Sequence, residues 1–350
     1  MSKRLWIIAG FTVAAAAGWQ LADVAVAQPV PDAAPAQNLS DVAAPRPGLP
    51  QLTPTSNGQS IHIFPTVEGA KARARAGLAG GPLVYHAGGS IMPAVTLYAI
   101  YWIPAKLQNG GATSMPVLYQ NFQSRLLVDY PDHGIDNNNT QYFQTIGTTT
   151  TYVANLGAFG GVFVDTAPYP ASGCTDSLTP GACITDAQIQ TEIKRVMAVK
   201  GWTGGLRHMF LLYTSSGEGS CFTAASTSCA YTNYCAYHGN ISGTTPIIYA
   251  NMPFGNLSVC QVAGTPSPNA YAVADAVMDV ATHEISEAIT DPLLDAWFDS
   301  SGNEIGDLCN FFYGPNTWDA SKANQSWKGH FYEVQEEYDN HTSSCAQVGP

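Results

Sequence analysis

The most regular apolar pattern in the chain lies at residues 269–290, NAYAVADAVMDVATHEISEAIT, where Val273, Val277, Val280, Ile285 and Ile289 supply apolar helical faces. Pro292 ends that helix, because its ring cannot continue the turn. Residues 116–130 carry Leu118, Phe122 and Leu126 as one helical stripe, and Pro116 suits a first turn. Thr185 is placed to cap a further helix that buries Ile189, Ile193 and Val196 and stops at Gly201. Residues 94–103 (AVTLYAIYWI), 160–167 (GGVFVDTA) and 207–214 (RHMFLLYT) are short apolar runs, the first and third rich in aromatics, and read as strands. The Cys- and aromatic-rich stretch 221–260 lacks helical period and reads as disulfide-pinned loops and short strands. Strands alternating with helices predict an α/β fold with a mixed sheet and one long C-terminal helix.

The N-terminal quarter has a different pattern. Residues 28–80 contain Pro29, Pro31, Pro35, Pro45, Pro47, Pro50 and Pro54, and read as a linker or pro-segment. The folded body is expected from near Gly80, as a single domain over 81–350. Lys71, Arg73 and Arg75 in KARARAG stand just before it and read as a solvated loop, with a processing site as the alternative. Further upstream, Lys3 and Arg4, an apolar run and Ala25-Val26-Ala27 predict a signal peptide over residues 1–27. That run of about 14 residues is short of the roughly 20 needed to span a bilayer. The expectation is a secreted protein, extracellular or periplasmic, without a membrane span.

Composition works mainly by exclusion. The chain has 14 Lys+Arg against 26 Asp+Glu, and 45% of its residues are hydrophobic. That apolar share argues against wholesale disorder, and the acidic balance argues against a nucleic-acid partner. Cys174, Cys183, Cys221, Cys229, Cys235, Cys260, Cys309 and Cys345 all fall in the second half. In an exported chain they predict four disulfides. Proximity favours Cys174–Cys183, while Cys309 with Cys345 would tie the tail to the body. With no CxxC pair, zinc ligation by these thiols is the weaker reading.

Candidate chemistry sits on the long helix. The motif HEISE puts His283 and Glu287 four residues apart on one face, where both can grip one metal ion, with Glu284 beside them as general base. This is the HExxH arrangement of zinc proteases with Glu in place of the second His. In the loop that follows, Glu304 is the expected third ligand, leaving a fourth position for water. Two carboxylates nearly neutralise Zn²⁺ and acidify bound water less than imidazoles do, so His238 and Asp307 are candidate additional ligands. Zinc is the expected metal and calcium the alternative: Asp299 and Asn303, with Ser301 and Asp307, offer oxygens around Gly302 without EF-hand spacing. The plain alternative is an exposed helix face bearing two solvated acids. It fits poorly with a helix otherwise rich in Ala and Val. No GxSxG or glycine-rich phosphate loop is present.

Five blocks resemble the EXORDIUM / phosphate-induced protein family of plant cell-wall proteins and its bacterial relatives. They are GGSIMPAVTLYAIYW (88–102), the Cys229/Cys235 loop running into Tyr237-His238, THEISEAITDP (282–292), EIGDLCNFFYG (304–314) and FYEVQEEYDNHTSSC (331–345). The chain departs from the family pattern at Asp291-Pro292, where the family has Asn-Pro. The resemblance implies secretion to the cell surface and, in plants, association with the wall and growth signalling; it implies no established reaction. Read chemically, His283, Glu284, Glu287 and Glu304 suggest a zincin-like metallopeptidase acting on a polypeptide or cell-surface polymer. The competing class is a non-catalytic extracellular protein with a structural metal site. In that case some of the 17 Tyr and 7 Trp would bind polysaccharide or a receptor.

Overall fold

Strands buried on both faces must be apolar at every position, and this chain's central runs are. The computed structural model describes residues 53–54, 60–75, 80–225, 228–314 and 320–350; the expected signal peptide and most of the expected linker lie outside them. The principal sheet contains β1 (Thr53–Pro54), β2 (Ser60–Pro65), β3 (Val95–Trp102), β4 (Gly157–Asp165), β5 (His208–Thr214), β6 (Tyr234–Ile241) and β7 (Ile247–Met252). Their order is β1-β2-β6-β7-β5-β3-β4. The strands β7, β5, β3 and β4 run parallel, while β6 is antiparallel to both β7 and β2, so the sheet is mixed as expected.

Period-two alternation assigns each side chain to a face. In β3, Leu97, Ala99 and Tyr101 enter one core, and Tyr98, Ile100 and Trp102 the other. The helices that bear on the site are α1 (Val67–Arg75), α2 (Val117–Asp129), α3 (Asp186–Lys200), α4 (Leu257–Cys260) and α5 (Ala272–Thr290). α2 and α5 cover the first face and α3 the second. α3 forms where its local code directs. Thr185 and Gln188 make a reciprocal capping box, Ile189, Ile193 and Val196 are fully buried, and Gly201 closes the helix at φ 66°. Each such side chain contributes roughly 1.5–3 kcal/mol on burial.

The sequence reading needs four corrections. The folded body starts before Gly80: Ser60–Pro65, inside the expected linker, pairs with β6 along five registered positions. The basic KARARAG stretch is not a loop up to Arg75 but the C-terminal part of α1. In α2 the buried positions are Tyr119, Gln123, Leu126, Leu127 and Asp129, while Leu118 is exposed. The seat of the helix against α5, where Gln123 donates to the Ala274 carbonyl, rotates it away from the apolar stripe. The stretch 221–260 also holds two full strands of the sheet, β6 and β7, rather than only short ones.

The disulfides are Cys174–Cys183, Cys221–Cys229, Cys235–Cys260 and Cys309–Cys345. The third ties β6 to α4, and the fourth ties the segment after α5 to the C-terminal hairpin. Among the described residues, no helix is long and apolar enough to cross a membrane.

Candidate metal centre

Every residue of α5 from Ala274 to Thr290 is buried, because the helix is enclosed by the sheet, α2 and the C-terminal segment. His283, Glu284 and Glu287 therefore project into protein, and the exposed-face alternative falls. The sheet meets them with His238 on β6 and His62 on β2, registered directly opposite each other. Alternation explains their aim: Ala236 and Phe64, two residues away, lie in the same α5-facing core. The loop after the helix adds Glu304 and Asp307. Gly306 lets it close, since a methyl group there would lie 2.3 Å from His283 Nδ1.

Glu287 is the hub. Its Oε1 is 2.9 Å from His283 Nε2 and accepts a hydrogen bond from the Asp307 N–H at 3.2 Å. Its Oε2 is 3.5 Å from His238 Nδ1 and 3.9 Å from His62 Nε2. Two sets of three groups each bring ligand atoms within 4.8 Å of one another: His62, Glu287 and Asp307, and His238, Glu284 and Glu287. Groups of buried His, Glu and Asp are thus placed to hold a metal ion. Cys174, Cys183 and Cys221 also cluster, but their sulfurs are committed to disulfides.

The sequence-derived ligand set is brought together only in part. His283 and Glu287 meet, but Glu304 lies across the cluster, with its oxygens 2.9 Å from His62 Nδ1 and 3.7 Å from His238 Nε2. Glu284 stands 3.1 Å from His238 Nδ1, inside a ligand set rather than apart as a base. The proposed additional ligands His238 and Asp307 each belong to a set. The calcium loop is instead an Asx turn. Asp299 accepts from the N–H groups of Ser301, Asn303 and Gly81 and from the Asn303 side chain, which fills a carboxylate's roughly four acceptor sites.

Several atoms of the cluster lack hydrogen-bond partners. Among the described residues, His283 Nε2, His238 Nε2, Glu284 Oε1, Glu287 Oε2 and Glu304 Oε2 are buried without one. The 2.9 Å contact of His283 Nε2 to Glu287 therefore juxtaposes two potential ligand atoms without a hydrogen bond. His62 Nδ1 is a sixth such atom; a buried donor or acceptor normally finds a partner, and six exceptions in one place call for an explanation.

Electrostatics point the same way. Burial pushes the Glu284 and Glu304 carboxyls well above their usual range, and Glu287 adds to both. His238 is held well below the usual imidazole range by burial and by His62 and His283. Burial opposes a charge on His62, yet Glu304, Glu287 and Asp307 together outweigh it and hold that imidazole well above its usual range. Asp307 stays low despite burial, because His62 and Arg73 face it. Four carboxylates share this interior with few cations.

Sequence reasoning missed His62, Arg73, Gln335 and Glu337. Arg73 reaches from α1 to the Asn303 side chain and lies 3.7 Å from Asp307. Gln335 Nε2 sits 3.0 Å from both His283 Nδ1 and the Gly306 carbonyl, holding the imidazole in place. For His283 to offer Nε2 to a cation, Nδ1 must carry the ring proton and the Gln335 amide must turn its oxygen toward it. Glu337, fully buried near Glu287, had no local sequence signal. The centre is also closed: all seven ionisable side chains of the cluster have at most 2% exposure.

Aromatic residues are mostly structural, with Tyr101, Tyr119, Tyr130, Tyr142, Tyr213, Tyr234, Tyr237, Tyr249 and Tyr332 among the largest fully buried side chains. Comparison of the chain with protein-family models, with curated proteins and with solved structures finds no match, so the EXORDIUM resemblance stands on its motifs alone and the site on its geometry.

Proposed function

We propose that this chain is a secreted metal-dependent hydrolase, a zincin-like metallopeptidase built on the HExxE helix, with the EXORDIUM-like motifs marking an extracellular protein. The observation that carries the reading is the buried cluster of three imidazoles and four carboxylates with unpartnered ligand atoms. An unpaired buried carboxylate costs several kcal/mol, and a divalent cation offsets that cost for several groups at once. Imidazole donors favour zinc over calcium, which prefers six to eight oxygens. The long helix against a mixed sheet, with the downstream acids folded back onto it, supports the zincin comparison.

A bound cation would supply Lewis-acid polarisation of an amide carbonyl and would acidify water. His238, Glu284 and Glu287, whose ligand atoms lie within 4.8 Å of one another, would hold it, with His283 at the other oxygen of Glu287 and Glu304 and Asp307 at the flank. Glu284, its carboxyl raised by burial, suits proton transfer to and from a reacting group. The enclosed position of the cluster favours a second reading, a structural metal site in a non-catalytic extracellular protein.

Elemental analysis of gently purified protein tests the metal, with about one equivalent of zinc expected. Less than a tenth of an equivalent overturns both readings. Hydrolysis of casein or a peptide library by the zinc-loaded chain, before or after a limited tryptic cut, separates them. Glu284→Gln should abolish turnover and, because Glu284 stands in the His238–Glu287 set, lower the zinc content measured on the same sample. If no turnover is found in any form, the structural reading remains.

A further inference from the structure

Residues 60–75 close the centre from the sheet side. β2 lies antiparallel to β6, sends His62 to within 2.9 Å of Glu304 and 2.6 Å of Asp307, and lays Phe64 edge-on against the His283 ring at 4.5 Å. α1 follows at once and buries none of its residues. It carries Lys71, about half exposed, and Arg75, also exposed, on either side of Arg73, which is turned onto Asn303 and Asp307, and the chain is exposed again at residues 80–82. The segment that plugs the cluster thus runs directly into an accessible basic stretch.

We propose that residues 60–75 are an inhibitory strap, and that proteolysis beside Lys71 or Arg75 is the modification that releases it. The reaction is hydrolysis of one peptide bond by a protease selective for basic residues. The hydroxyl of water goes to the carbonyl carbon, and its proton goes to the departing amide nitrogen. His62 is the plug that is withdrawn.

Three features carry the proposal. His238, His283, Glu284, Glu287, Glu304 and Asp307 all lie outside the strap, so its loss leaves a donor set behind. β2 is near the sheet edge, with Thr53–Pro54 alone beyond it among the described residues, so its departure breaks no strand pairing further in, although it withdraws Ile61 and Phe64 from the two cores. The covalent tether keeps the strap at an effective concentration of roughly millimolar, and cutting turns rebinding into a dilution-sensitive encounter. Once uncovered, the β6 edge presents backbone donors and acceptors beside His238. That names the substrate class as an extended polypeptide pairing with the edge. This last step rests on the hydrolase reading; the strap itself does not.

The test uses the zinc-loaded full chain, treated with trypsin and mapped by mass spectrometry, with zinc transfer to a chromogenic chelator as the readout. Cleavage at 71–75 should speed transfer roughly tenfold or more and let the N-terminal fragment separate on gel filtration. The combined Lys71→Gln and Arg75→Gln variant, which leaves Arg73 on Asp307, should stay closed under the same treatment. His62→Ala should exchange zinc quickly without any cut. Unchanged transfer after a mapped cut, resistance of 71–75 to cleavage, or loss of near-UV circular dichroism on cutting makes residues 60–75 an integral part of the fold and overturns the proposal. Faster transfer without peptide turnover keeps the strap and removes the hydrolase reading.

Discussion

The two faces of one sheet treat buried carboxylates differently. On the α3 face, Asp186 accepts hydrogen bonds from Tyr237 at 2.9 Å, Tyr249 at 2.5 Å and Gln190 at 2.7 Å. On the α5 face, one residue along the same strand, His238 looks into a cluster where Glu284, Glu287 and Glu304 each keep an oxygen without a donor. Tyr237 and His238 are adjacent, so alternation alone sends one to each environment. The contrast separates a carboxylate satisfied by the fold from carboxylates arranged for something the fold does not supply.

The sharpest way to break that comparison is to remove one group from each side. His283→Ala should reduce bound zinc at least tenfold, while Asp186→Asn should leave the metal content unchanged and cost about 1–3 kcal/mol in denaturant melts. If both substitutions lower metal content equally, the faces are not chemically distinct.

A third acid offers an intermediate case. Asp136 has two donors, the Asn139 side chain and the Asp132 N–H, each at 3.2 Å, and burial pushes its carboxyl up to about 7. Its folded value lies above the unfolded one near 3.9, so the folded state keeps a proton that the unfolded state loses. Stability should therefore be fully present below about pH 4 and fall as pH rises toward 7, by roughly a few kcal/mol. Asp136→Asn should flatten that slope in urea melts at pH 4.5 and 7.5. An unaltered slope would assign it elsewhere.

The smallest effect belongs to local code on the quiet face. Thr185→Ala removes the α3 cap and should cost about 1 kcal/mol, with zinc content untouched.

How readily each part was read from sequence follows from how local its cause is. α3 was readable end to end, because Thr185, Gln188 and Gly201 act within a few residues of the helix they bound. β3 and β5 were readable because burial on both faces leaves continuous apolar runs, and edge strand β4 because of its β-branched and aromatic residues, whereas β7 was not read as a full strand. The HEISE helix was readable because its ligands share one turn. His62 was not read, although SIHIF alternates as a strand should, because surrounding prolines made the segment look unfolded. Glu304 was placed with His283 because sequence order cannot tell which side of a cluster a returning loop approaches. Gln335 reaches His283 from 52 residues away through an irregular tail, and nothing near it in the sequence marks that contact.

The Cys309–Cys345 bridge has a consequence for where the protein can work. It fastens the turn bearing Glu304 and Asp307 to the C-terminal hairpin, which brings Gln335 as well. A chain held in a reducing compartment lacks that fastening and keeps its helix motif while losing the far wall of the cluster. Under the proposed reading ion capture is coupled to oxidation: the reduced chain would chelate more weakly than the disulfide-bonded one.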